Sequence, residues 1–437
     1  MFSVCTIPPA IALVGRTDNP SSLAYHKFRE IRMTKQQSIY LTCAVFVFCI
    51  VFAVAMQAQT FKNVVIFNQT NGEDAFSSLI EASDGNFYGT TVYGGMHNDG
   101  TVFQLTPAGV ETVLYNFCSQ SACSDGSFAE WVTQGSDGNL YGETYGGGAN
   151  GQGSVFKITI SGQLTTLYSF CAQSACSDGA LPQSALVEGS DGSFYGTTVA
   201  GGKHNQGTVF KIDTSGILTT LYNFCAKSAC TDGAGPYIGL RLASDGNFYG
   251  TTAFGGTSSA CNLGCGTVFK ITSSGTLTTL YSFCSQANCA DGSTPQGLLL
   301  QASDGNFYGT TDGGGAINAG TAFKMNSSGK FRTLHSFCTG NCTDGAVPYA
   351  GLIQGKDGNF YGTAAVGGAK GYGTVFKMSA TGKIVTLHSF DNLDGFTPAA
   401  ELLQASDGSL YGGTEEGGNL NCSSPNGCGT VYRISTH

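Results

Sequence analysis

Charge is scarce in this chain of 437 residues, since Asp, Glu, Lys and Arg together make up only 11% of it. Basic residues are the scarcer sign, 20 Lys and Arg against 29 Asp and Glu, and no basic run appears. A net charge of -9 without a basic face argues against a nucleic-acid partner. Histidine is also sparse, six in all, and none stands in an HxxxH or HExxH pattern, so metal chemistry has no support there. GxSxG, P-loop and dinucleotide fingerprints are missing from any fitting context, and no cofactor is implied. No window shows a sustained 3.6-residue hydrophobic period between turns, which excludes helical solenoids.

Glycine, by contrast, is abundant at 64 residues, and 41% of the chain is hydrophobic, which suits short strands joined by tight turns rather than disorder. The glycines fall into a repeat. DGNFYGTT at Asp84 returns at Asp137 (DGNLYGET), Asp191 (DGSFYGTT), Asp245, Asp304, Asp357 (DGNFYGTA) and Asp407 (DGSLYGGT). Seven copies, roughly fifty to sixty residues apart from about residue 60 to the end, describe one closed body.

The copy at Asp191 shows the unit. Ala185 to Gly189 reads as a short apolar strand, and Asp191-Gly192 as a two-residue hairpin turn that needs positive φ. Phe194 to Thr198 is a second strand, a glycine loop follows, Thr208 to Ile212 is a third, and Leu218 to Phe224 a fourth. Four antiparallel strands repeated seven times predict an all-β, seven-bladed β-propeller. A β-helix is the runner-up, but its rungs are shorter and DG hairpins imply antiparallel neighbours. A small residue stands two before each Asp (Ala82, Gly135, Gly189 and so on), as expected where inner strands crowd an axis. The aliphatic column three further back (Leu79, Val132, Leu186) and the recurring Tyr and Phe rings should fill the space between blades.

The last copy stops after its third strand. Its missing fourth strand stands at the other end of the repeat region, where Val64 to Phe67 aligns with Leu114 to Phe117. This N-terminal strand should pair with 430 to 434 and close the ring, removing two exposed edges. Ser435 to His437 would lie past the last paired strand.

Residues 1 to 59 differ in composition. An 18-residue apolar stretch, Ile39 to Met56, follows Arg29, Arg32 and Lys35 and ends in small residues, the pattern of a secretory signal cleaved after Ala55 or Ala58. The rival is an uncleaved anchor, the one route by which the chain would meet a membrane. Beyond Cys5, Cys43 and Cys49, fourteen cysteines form seven close pairs: Cys118 with Cys123, Cys171 with Cys176, Cys225 with Cys230, Cys261 with Cys265, Cys284 with Cys289, Cys338 with Cys342 and Cys422 with Cys428. Even, local pairing behind a signal reads as disulfides in an exported protein, whether secreted, periplasmic or on the cell surface. Zinc would need two pairs to converge, and one isolated pair per repeat is not expected to do so.

DGNFYGTT followed by GG, GTVFKI, SG and LTTLYSF resembles the Gloeobacter and Verrucomicrobia tandem repeat over about residues 61 to 437. The resemblance implies an exported bacterial repeat protein with a propeller fold and carries no catalytic residues to transfer. Function is therefore sought where copies depart from one another. The longer loops share one face of the ring, and there the residues just after each second strand vary. Tyr93, Glu143, Tyr145, Phe254, Asp312, Glu415 and Glu416 are the candidate ligand-binding positions. Aromatics and carboxylates around a shallow mouth suit a glycan, while their plainer reading is a solvated acidic rim. The expected function is an exported, non-catalytic binding propeller for a glycan or cell-surface protein. The alternative is a carbohydrate-active hydrolase or lyase using these carboxylates. Trp131 and Arg241 depart from their columns in the inner strands, and a packed Trp and a paired Arg are the expectation there.

Overall fold

A computed structural model describes residues 59–435, apart from 77 and 424. The apolar stretch at 39 to 56, its cleavage sites and the first three cysteines lie outside the described residues. Among those described, no helix is long and apolar enough to cross a membrane.

Seven antiparallel sheets form the ring of a seven-bladed β-propeller, each with four strands except that of blade three, where Ala180–Pro182 adds a fifth against Phe194–Ala200. Blade one comprises Ile80–Glu81, Phe87–Thr91, Thr101–Leu105 and Glu111–Asn116. Blade seven is built from both ends of the ring, in the order Leu403–Gln404, Leu410–Thr414, Thr430–Ile434 and Phe61–Ile66. The closing strand begins three residues earlier than the alignment with blade one suggests, because Phe61, Lys62 and Asn63 also pair, opposite Ile434, Arg433 and Tyr432. Ser435 is paired as well, its N–H donating to Thr60 O at 3.0 Å.

Inner strands are shorter than the sequence suggests. Six of them have only two ladder residues, such as Val187–Glu188. In blades four to seven a proline (Pro236, Pro295, Pro348, Pro398) precedes the strand and has no N–H with which to extend it, while in blade three Pro182 ends a separate short strand, Ala180–Pro182, opposite Thr198. Blade two has Ala129 instead, and its inner strand runs over Ser127–Gln134.

The hairpin at each DG also differs from the two-residue turn. Gly85 N donates to Ala82 O and Ala82 N to Asn86 O, leaving a three-residue loop that ends on Gly85 at φ 79°. Asp84 Oδ1 accepts the N–H of Asn86 and Oδ2 accepts the hydroxyl of Tyr88, so the repeated Asp holds the turn and satisfies the buried ring. That tyrosine explains the small column. A Cβ on Gly135 would stand 2.8 Å from Tyr141 Cε2 and 3.0 Å from Phe194 Cζ, so crowding comes from the rings and not from the axis.

Those rings join the blades. Tyr141 stacks on Phe194 of the next blade at 4.0 Å, and Tyr195 on Phe248, Tyr249 on Phe307 and Tyr308 on Phe360 each at 4.1 Å. The glycine after each tyrosine leaves room for the third-strand ring: a Cβ on Gly250 would meet Phe269 Cζ at 2.7 Å and Leu240 Cδ2 at 3.0 Å.

All seven cysteine pairs are disulfides: Cys118 with Cys123, Cys171 with Cys176, Cys225 with Cys230, Cys261 with Cys265, Cys284 with Cys289, Cys338 with Cys342 and Cys422 with Cys428. In the interblade clips the second cysteine also fixes backbone. The carbonyl of Cys230 accepts the N–H of Gly233 at 2.9 Å and of Gly256 at 3.0 Å, and that of Cys342 accepts Gly345 at 3.0 Å and Gly368 at 2.8 Å. In blade seven the pair closes the lengthened glycine loop instead, and Cys428 is fully buried against Val65 and Phe67 of the closing strand's cluster.

Beside the clips an Asp holds the interblade loop: Asp178 accepts the Tyr168 hydroxyl at 2.8 Å and two backbone N–H groups. His335 and His388 replace that tyrosine and meet Asp344 and Asp394 at 2.8 Å, which gives both histidines a structural role. One expectation fails in blade four. Its lengthened glycine loop reaches the clip that follows the same blade, so Cys261 Sγ stands 4.0 Å from Cys284 Sγ, and the four sulfurs of two disulfides lie within 4.8 Å.

Candidate functional site

On the long-loop face, two segments of each blade run side by side into the axis. The residues that follow the second strand pair with those that precede the inner strand, as in Glu73 with Tyr93, Ala234 with Phe254, Ser293 with Gly313 and Phe396 with Glu416. Each variable position noted in the sequence therefore has a neighbour from the interblade segment. Together they build a mouth to which every blade contributes.

Carboxylates dominate it. Burial, and after it Glu415 and Glu130, push Asp74 well above the usual carboxylate range. Glu130 is pushed up to about 8 by burial, against a hydrogen bond from Gln183 Nε2 at 3.0 Å, and Glu415 adds to the rise. Asp312 is likewise raised by burial to about 8 although Gln296 donates to it. Glu415 is raised to about 7 by burial and by the neighbouring Glu416. No Lys, Arg or His contributes to the shifts of these four groups. Oxygens of Asp74, Glu130 and Asp312 lack any hydrogen-bond partner. A carboxyl in that position is cheapest when protonated, and it then both donates and accepts.

Tyrosines complete the ring. Tyr93, 42% exposed, lies edge-on to Phe128 at 5.4 Å, and its environment includes Asp74, Glu130 and Tyr145. Tyr237 feels Tyr145 and meets Phe254 edge-on at 6.0 Å. Tyr349 feels both Asp312 and Glu415.

Of the sequence candidates, Tyr93, Tyr145, Phe254, Asp312 and Glu415 stand at this mouth. Glu416 flanks it, tied to its own loop by Asn426 Nδ2 at 2.8 Å. Glu143 lies behind the mouth: only 2% exposed, it accepts the N–H and hydroxyl of Ser184 between blades two and three, and it still feels the charge of Glu130. Asp74, Glu130, Gln183, Tyr237, Gln296 and Tyr349 were not among the candidates. They occupy the segment ahead of the inner strand, or in blade two the start of the strand itself, where the copies also depart from one another.

For metals, two groups of ligating side chains converge within 4.8 Å among the described residues, the four blade-four cysteines and Asp99 with Cys118 and Cys123. Every cysteine in both is in a disulfide.

The model of the Gloeobacter/Verrucomicrobia repeat matches residues 121–290 and 262–437. Among solved structures, the chain is similar to extracellular domains of two B. thetaiotaomicron proteins described as hybrid two-component systems. BT3049 is 14% identical with a TM-score of 0.54, over 86% of this chain and 41% of that one. BT4673 is 13% identical with a TM-score of 0.55, over 87% and 42%. The chain thus spans less than half the length of either, and the likeness is one of fold. No curated protein matches the sequence.

Proposed function

The chain belongs to the Gloeobacter/Verrucomicrobia repeat family, and on that premise we propose an exported, non-catalytic binding propeller whose axial mouth on the long-loop face recognises a polyhydroxylated, carbohydrate-type ligand. The reading is carried by one observation, the convergence of Asp74, Glu130, Asp312 and Glu415 with Tyr93, Tyr145, Tyr237 and Tyr349 around one axis. Carboxyls kept neutral by burial suit the alternating donors and acceptors of sugar hydroxyls, and tyrosine rings suit the faces of the sugar. A glycan on a cell-surface partner offers the same chemistry. Seven disulfides support export, with the apolar stretch at 39 to 56 as its signal or anchor.

Catalysis is the second reading, since Asp312 and Glu415 both act on Tyr349. Glycoside hydrolysis needs one carboxyl protonated and its partner ionised. Burial raises both carboxyls of this pair, and no cation beside either one singles it out as the ionised partner. That favours binding over turnover. A glycan array read beside a hydrolysis screen separates the two: retention without turnover supports the proposal, and turnover abolished by Asp312→Asn or Glu415→Gln would replace it.

A further inference from the structure

Below the mouth, toward the short turns, the axis holds a second cavity of about 290 Å³, lined by the inner strands of all seven blades. Its walls are mostly aliphatic, with Leu298, Ile353 and Leu403 among them. Into it come the two inner-strand departures noted in the sequence, Trp131 and Arg241, together with Glu401.

Arg241 is only partly paired. Its Nε donates to Leu299 O of the next blade at 3.0 Å, while Nη2 stands 3.7 Å from Glu401 Oε1 of blade seven, beyond hydrogen-bond reach. A guanidinium has five N–H donors, so most of its capacity is unspent. Glu401 Oε1, the Trp131 indole N–H and Ser78 Oγ are buried without any hydrogen-bond partner. Glu188 also lines the cavity, but its carboxylate accepts the N–H and hydroxyl of Ser136, which leaves Glu401 as the carboxylate still short of a partner. An apolar chamber with one cation, one such carboxylate and unspent donors is the usual make-up of a small-molecule site. Elsewhere the Arg241 column holds Ile80, Thr133, Val187, Leu300, Ile353 and Leu403, so the ring needs no charge at this place to form.

We propose that this lower axial pocket binds a small zwitterion, an α-amino acid with an apolar side chain, whose carboxylate meets Arg241 and whose ammonium meets Glu401. The two protein charges lie about as far apart as the two charges of such a ligand, so a molecule lying alongside pairs each with its opposite. A plain carboxylic acid would leave Glu401 facing a like charge, and a plain amine would do the same to Arg241. The aliphatic walls take the side chain, and the volume admits one small molecule.

The site is separate from the mouth and is tested separately. Trp131 is the only tryptophan in the chain, so its fluorescence reports the pocket directly. The purified protein is titrated with L-leucine, with 4-methylpentanoate, which lacks the amine, and with isopentylamine, which lacks the carboxylate. Saturable change with leucine, at least tenfold weaker with either analogue, is the expected result. Arg241→Gln and Glu401→Gln should each weaken leucine at least tenfold without altering thermal unfolding of the free protein by more than a few degrees. Should either fail to fold, Leu298→Phe, which fills the chamber while leaving both charges, should abolish the response. No saturable response to leucine or to any other apolar amino acid at millimolar concentration would overturn the proposal. So would equal response to the single-charge analogues.

Discussion

Thr60 Oγ1 and Ser435 Oγ meet at 2.6 Å although 375 residues separate them. They mark the seam where the ring closes, with Phe61 opposite Ile434 and Ile66 opposite Thr430. Phe61 stacks on His388 at 3.6 Å and Phe67 is fully buried, so the closing strand ties blade seven to both of its neighbours. Deleting residues 60 to 68 should cost more than about 3 kcal/mol, since loss of one buried phenylalanine alone reaches that size. Removing 435 to 437 costs the three hydrogen bonds between Ser435 and Thr60, whose side-chain members are exposed, about 1–2 kcal/mol. Urea unfolding of both truncations checks this, and equal losses would contradict the seam.

The blade frame was legible because its chemistry is local: a DG turn, alternation on either side, and a tyrosine four residues past its Asp. Closure was legible as a strand missing at one end and present at the other. The hairpin type was not, since Asp-Gly serves both a two-residue turn and the three-residue loop that Gly85 closes. The mouth was half legible. Asp312 and Glu415 stand out from their column, but Glu143 lies two places earlier, in the column of Thr197 and Thr310, and its carboxylate is taken up by Ser184 between blades two and three. Glu130 was hidden because blade two is one residue shorter ahead of Val132, which breaks the column it belongs to. The cysteines show both sides of this. Pairs as close as Cys225 and Cys230 are settled by spacing alone, whereas spacing along the chain cannot say which loops meet above the sheet in blade four.

Glu130 gives a pH test of the mouth. Its ordinary value is 4.5 and burial raises it to about 8. Between those values the unfolded chain has released the proton while the folded ring retains it, so stability falls as pH rises through the window. At pH 5, Glu130→Gln should change little. At pH 8.5 it should be the more stable protein by upwards of about 1.4 kcal/mol, the equivalent of one pKa unit. Denaturant titrations at both values decide, and a variant destabilised at pH 8.5 would contradict a raised carboxyl.

The stacked rings predict equivalence among interfaces. Phe194→Ala and Phe307→Ala remove the partners of Tyr141 and Tyr249, which stack at 4.0 and 4.1 Å. Each should cost about 3–5 kcal/mol, by similar amounts. Gly250→Ala should also destabilise, because its Cβ would stand 2.7 Å from Phe269 Cζ. Thermal unfolding of the three variants is the measurement.

Convergence in blade four predicts disulfide exchange confined to that blade. In Cys265→Ser the freed Cys261 lies 4.0 Å from Cys284, and its thiolate should attack that sulfur and release Cys289. In Cys171→Ser, Cys176 should stay a free thiol. Non-reducing peptide mapping distinguishes these outcomes, and a free Cys261 with Cys284 still joined to Cys289 would contradict the first.

The central claim is that the long-loop mouth is the recognition surface. Its most direct test is carboxyl and tyrosine footprinting by mass spectrometry, with and without a glycan retained on the array. The account predicts protection at Asp74, Tyr93, Asp312, Tyr349 and Glu415, and none at the DG-turn residues Asp84, Asp191 and Asp304 on the opposite face. Protection at those turns with an unchanged mouth would contradict it.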